Sequence, residues 1–167
     1  MRGINPQLKW CLKQRRGIRL VRPSDNLLRA YLKKAESALR SMDVNAKAGI
    51  AEWAVSAGYY ARYFAVYGLF QKVGIKCEIH DCTIALFEHL FQESVSRDLI
   101  EELRQSKDYR IEIQYYSTHL EVDLDEVIDK TRAFVLEIEK MIDALNPSKI
   151  LVLQKKLRAL SSSLRSH

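Results

Sequence analysis

Apolar positions recur at threes and fours along nearly the whole chain, and no segment alternates with period two, so the sequence predicts helices throughout and no strand. Residues 5–15 predict a short basic helix around Trp10, and the run RRGIRLVRPSDN reads as a linker ending in the turn signal Pro23-Ser24-Asp25. Ser24 or Asp25 then caps a helix through Met42, with Leu28, Tyr31, Leu32, Ala35, Ala38 and Leu39 at helical spacing. The next helix, over 47–73, is apolar on every side, which predicts a place at the centre of a bundle. Gly74 stands where its C-terminus calls for a left-handed residue. Asp81 is expected to cap a short helix bearing Ile84, Phe87, Leu90 and Phe91, and a further helix runs from about Ser96 to Ser117. Asp123 and Glu126 resemble a capping box ahead of a long amphipathic helix. Asn146-Pro147 ends it and starts a last one, whose Ile150, Leu153, Leu157, Leu160 and Leu164 form a narrow stripe.

The fold class is therefore all-α: an up-and-down bundle of four or five core helices with additional C-terminal helices. Its expected organisation is a basic leader over 1–23, the bundle over 24–120, and two C-terminal helices over 121–167. With 167 residues the chain fits one domain. Only 6 Gly and 3 Pro argue against turn-dense β folds. Ile50 to Gln71 is interrupted by Glu52 and Arg62, so it reads as a buried helix and not a membrane span. An odd count of 3 cysteines, with no apolar leader, suggests a reducing, cytoplasmic setting.

Charge adds a pattern that the hydrophobic spacing does not show. Residues 1–40 carry 11 Lys+Arg against 2 acids, residues 41–148 carry 11 against 19, and residues 149–167 carry 5 against none. Two basic ends flank an acidic middle. Such ends suit an anionic partner, RNA ahead of a membrane surface, or simply a solvated basic surface.

Candidate chemistry is sparse. Cys77, His80 and Cys82 lie within six residues, with His89 nearby, but they lack the paired spacing of a closed zinc site, so no metal and no cofactor is expected. There is no glycine-rich phosphate loop. Arg110 shares a helix face with Leu103 and Ile113, so its guanidinium points towards apolar neighbours and needs a carboxylate or a phosphate to offset desolvation. Arg62 poses the same question on the central helix; a structural ion pair is the plainer answer for both. The tyrosines are core residues or, for one or two beside these arginines, stacking partners for a base.

The stretch AGYYARYFAVYGLFQKVGIKCEIHDCTIALFEHLF resembles the central signature of the HEPN (higher-eukaryote and prokaryote nucleotide-binding) domains. It has their tyrosine-rich helix (Tyr59-Tyr60), their Gly-Ile turn (Gly74-Ile75) and their histidine opening the next helix (His80). RIEIQYY, with Arg110 and Tyr115, is similar to the family's arginine-to-tyrosine helix motif, and PSDNLLRAYLKKAESAL to its opening helix. The resemblance spans about residues 8–120 and is nearest to an archaeal and bacterial branch with a basic leader. It implies a dimeric helical bundle that binds nucleotide or RNA, often beside a minimal nucleotidyltransferase in a toxin–antitoxin pair.

Many members of that family are metal-independent endoribonucleases with an arginine followed four to six residues later by a histidine. Here Tyr115, Tyr116 and Ser117 stand at those positions, and the next histidine is His119. The expected binding residues are Arg62, Tyr60, Tyr115, Tyr116, Arg15, Arg16 and Arg19. The candidate catalytic residues are Arg110, His80 and His119. Three functions follow: a nucleotide- or RNA-binding partner of a nucleotidyltransferase, a ribonuclease with a displaced histidine, or an interaction module docking through its last helices.

Overall fold

The helix predicted to be apolar all round does run through the middle of the molecule. The computed structural model describes residues 5–116 and 122–162. In chain order these form α1 (Pro6–Lys13), β1 (Arg19–Leu20), α2 (Asp25–Lys47), α3 (Ala51–Val73), β2 (Ile75–Lys76), α4 (His80–Phe91), α5 (Arg97–Tyr115), α6 (Leu124–Asp143) and α7 (Pro147–Ser162). Sixteen of the 23 residues of α3 are buried, so neighbours cover it on all sides. It packs antiparallel to α2 along most of its length, and α5, α6 and α7 complete its cover. Among the described residues no helix is long and apolar enough to cross a membrane.

Local chemistry sets the helix ends. The Ser24 hydroxyl accepts from the Leu27 amide, Ser96 from Leu99, and Asp123 from Glu126, each satisfying a donor that the first turn leaves free. Gly74 ends α3 at φ 85°, the left-handed conformation expected of it. It is needed there twice over, because a Cβ would lie 2.6 Å from the Val21 carbonyl oxygen. Asp81 differs from expectation. Ile79 occupies the cap position of α4 without a side-chain bond, and Asp81 pairs with Lys107 of α5 instead.

Three further expectations change. The linker is ordered: Arg19 and Leu20 pair antiparallel with Lys76 and Ile75, a short ladder that no periodicity of two residues could announce. The leader is fastened as well, because Cys11 of α1 forms a disulfide with Cys82 of α4, leaving Cys77 as a buried free thiol. One bond and one thiol account for the odd count, which withdraws that argument for a reducing compartment. The apolar stripe of α7 is also spent at home. Leu153, Leu157 and Leu160 are buried in the same core as Phe70, Phe87 and Phe134 and Ile150 is half-buried, while Leu164 lies outside the described residues.

Candidate functional site

Helix α3 presents its tyrosines towards the start of α4 and the second half of α5, and the charged and titratable groups meet there. Tyr59, Tyr63 and Tyr67 form a buried aromatic cluster with Tyr31, Tyr60 and Phe64 packed against it. His80, the first residue of α4, enters this cluster edge-on to Tyr60 and stacked on Tyr63, with ring centroids 4.1 Å apart and planes 12° from parallel. Its Nδ1 shares a hydrogen bond with the Tyr59 hydroxyl at 2.5 Å. Nε2 has no partner among the described residues.

Arg110 approaches from α5. Its guanidinium carbon lies 5.2 Å from the Tyr59 ring centre and 5.7 Å from that of Tyr60, within cation–π range. Nη1 donates to the Gln114 side-chain oxygen at 3.3 Å, while Nε is buried with no hydrogen-bond partner. Among the described residues no carboxylate pairs with it. One turn earlier, Lys107 is mostly buried and held by Asp81 and Asp108. His80 and Arg110 thus lie against the same two tyrosines, so the distance in sequence between them is closed by the fold.

The electrostatics follow from this packing. Burial, and then the neighbouring Arg110 charge, lower the pKa of His80 below its usual value, so the ring is held neutral. Burial raises the hydroxyl pKa values of Tyr59 and Tyr63, and pushes that of Tyr67 up to about 12. Tyr59 is therefore a neutral phenol, able to donate to Nδ1 or to accept from it. The chemical sum is a half-buried cationic spot on an aromatic floor, with an orphaned donor and a neutral imidazole alongside.

Residues 28–142 match the family model described as the HEPN domain, over more than two thirds of the chain. The chain belongs to the HEPN domain family. The matched span takes in α6, beyond residue 120 where the motif resemblance stops, and leaves out α1, β1 and α7. No curated protein matches the chain.

Beyond this cluster the other expected residues scatter. Arg62 is buried in α3, and its Nε and Nη2 both donate to one oxygen of Glu102, at 2.9 and 2.8 Å. It faces a polar cavity between α3, α5 and α6, away from His80, and its needs are met inside the protein. Tyr60 does join the cluster. Tyr115 ends α5 and Tyr116 caps it, both exposed, and Tyr115 and Trp53 line a shallow cleft that also contains Gln114, the partner of Arg110. Arg15 is exposed, and Arg16 and Arg19 face Glu78. His119 and Ser117 lie outside the described residues. The cysteines near His80 make no ligand set: Cys82 is bonded to Cys11, and the Cys77 thiol points to the Ile79 carbonyl oxygen.

Sequence reasoning missed Lys107, Tyr63, Asp81 as its ion-pair partner, and Gln114. A signal existed for two of them. Lys107, Arg110 and Gln114 follow Leu103 at spacings of four, three and four, so they share one face of α5.

Proposed function

We propose that the protein binds a phosphate group of a nucleotide or RNA at the cluster formed by Tyr59, Tyr60, His80, Lys107 and Arg110. The observation that carries the reading is the Arg110 guanidinium, set on two tyrosine rings with a buried Nε that has no partner, and no carboxylate, among the described residues. A buried polar group without a partner is costly, and a charged donor costs most. An anionic oxygen supplies what is missing, and arginine suits phosphate in particular. Membership of a nucleotide-binding family supports the same ligand class. A base of the ligand would find aromatic surface at Tyr60, and farther along α5 at Tyr115 and Trp53.

A second reading is favoured by one specific observation. His80 is held neutral with Nδ1 tied to Tyr59 and Nε2 without a partner among the described residues, the state a general base requires. In that reading His80 takes the proton of a ribose 2′-hydroxyl as its oxygen attacks the adjacent phosphorus, while Arg110 holds the phosphate oxygens. The P–O5′ bond breaks to leave a 2′,3′-cyclic phosphate, and the departing 5′-oxygen takes up a proton from water. His80 then replaces the histidine that the family places after the arginine. Pairing with a minimal nucleotidyltransferase in a toxin–antitoxin system, and self-association, belong to the same reading. The exposed Trp53–Tyr115 face, and the exposed Leu151 and Val152 of α7, are surfaces available for them.

Labelled single-stranded and structured RNAs incubated with the protein without added metal test both readings. Retarded, intact RNA whose retardation is lost in Arg110→Ala supports binding. Cleavage lost in both Arg110→Ala and His80→Gln supports the ribonuclease. Retention of every effect in Arg110→Ala removes the site.

A further inference from the structure

The HEPN span leaves out both ends of the chain, and the ends carry the positive charge. Residues 1–24 hold 7 Lys+Arg and no acid, and residues 147–167 hold 5 and no acid, whereas residues 25–146 hold 15 against 21 acids. The fold brings these ends together. Arg19 and Leu20 of β1 line one cleft of about 340 Å³ with Leu157, Arg158 and Ser161 of α7. The Gln154 side chain donates to the Val73 carbonyl at 2.7 Å, which seats α7 on the end of α3 beside the β1–β2 ladder.

The charges on this face are not balanced. Glu78 faces Arg16, Arg19 and Lys76 at 3.8, 3.4 and 3.6 Å, one carboxylate for three cations. Arg158 is exposed with no ion pair among the described residues, and Lys155 precedes it on the same side of α7 by one turn. Exposed cations this close repel one another unless an anion enters between them. Glu78 and His80 are separated by one residue, so the face continues into the cluster around Arg110 within roughly 7 Å of extended backbone.

We infer that the two ends together form a docking face for the phosphate backbone of single-stranded RNA, laid beside the Arg110 cluster and leading into it. The choice of RNA rests on the function proposed above. Trp10, in α1 of the same basic end, is exposed and offers an aromatic surface of the kind on which unpaired bases stack, which favours a single strand over a duplex. The elements that build it, α1, β1 and α7, all lie outside the residues that the family model matches.

The test is fluorescence anisotropy of a labelled single-stranded RNA across a salt series. The protein is compared with the triple variant Arg19→Gln/Lys155→Gln/Arg158→Gln and with Arg110→Ala. All three substituted side chains are exposed, and an unchanged thermal midpoint certifies the fold. The triple variant is expected to bind more weakly, with a log–log salt slope shallower by about 2, since each lost phosphate contact on a single strand removes roughly 0.7. An unchanged slope in the triple variant, with binding lost in Arg110→Ala, overturns the face and leaves the site standing. A shallower slope with no effect of Arg110→Ala supports the face and overturns the site. Binding to phosphatidylserine vesicles in place of RNA, dependent on the same three cations, overturns the inference in favour of a membrane surface.

Discussion

Two arginines on neighbouring helices meet the same demand in opposite ways. Arg62 lies in α3, 4% exposed, and gives two of its N–H groups to Glu102 from α5. Arg110 lies farther along α5, rests on the rings of Tyr59 and Tyr60, and keeps one buried N–H without an acceptor among the described residues. The first is a closed account between two helices and explains part of how α5 is held on α3. The second is left open, and open in a direction where a neutral histidine and a lysine already stand. Burial of a charge therefore does not by itself distinguish structure from function; what distinguishes them is whether the protein supplies the counter-ion.

The largest test of that contrast is on the closed side. Glu102→Ala strands a buried guanidinium, and the expected loss is about 3–5 kcal/mol in chemical denaturation. Arg62→Met removes the charge together with its need, so it should cost clearly less; equal losses would mean that packing, and not the pair, holds this point. On the open side, Arg110→Ala should leave stability nearly unchanged while weakening RNA or nucleotide binding by roughly 1.5–3 kcal/mol, the range for a hydrogen bond to a charged group. A destabilisation matching that of Glu102→Ala would make Arg110 structural and erase the contrast.

Smaller changes sharpen it. Tyr59→Phe removes the bond to His80 Nδ1 and should cost about 1 kcal/mol of stability. It should also free the imidazole ring, seen as a shifted His80 titration by NMR. The last effect is on pH. The pKa of His80 is lowered from 6.5 by burial and by Arg110, so below that value the unfolded chain takes up a proton that the folded ring resists. The stability it contributes is complete above that value and is lost as pH falls through it towards the folded pKa. His89 is shifted the same way by burial and Lys156, so the His80 share is the difference between the protein and His80→Gln across that range. Identical pH profiles would mean that the ring is not held neutral.

Much of the fold was legible because it is written in short-range spacing. The all-round apolar run of α3, the Ser24 and Asp123 caps, the helix start near Ser96 and the left-handed Gly74 are local properties, and each is found where the sequence puts it. What was not legible depends on long-range contact. The two-residue ladder of Arg19–Leu20 with Ile75–Lys76 is too short to show a period, and the Cys11 to Cys82 bond crosses a separation of 71 residues. The site divides in the same way. His80, Arg110 and Tyr60 stood out as residue types in a motif. That His80 meets Arg110 across Tyr59, and that Glu102 answers Arg62, depends on how α4 and α5 lie against α3, which no spacing within one helix encodes.

The disulfide has a topological consequence. It closes a covalent ring that threads through α2 and α3, the two longest helices described. A protease cut at the α2–α3 junction, beside Gly49, would open that ring without releasing a fragment. The piece that carries the leader would stay tethered to the piece that carries His80. A chain begun at residue 28, where the family match starts, would have no ring at all and would bury Cys82 as a second free thiol two residues from that histidine. The family unit and the covalent unit of this molecule therefore have different boundaries.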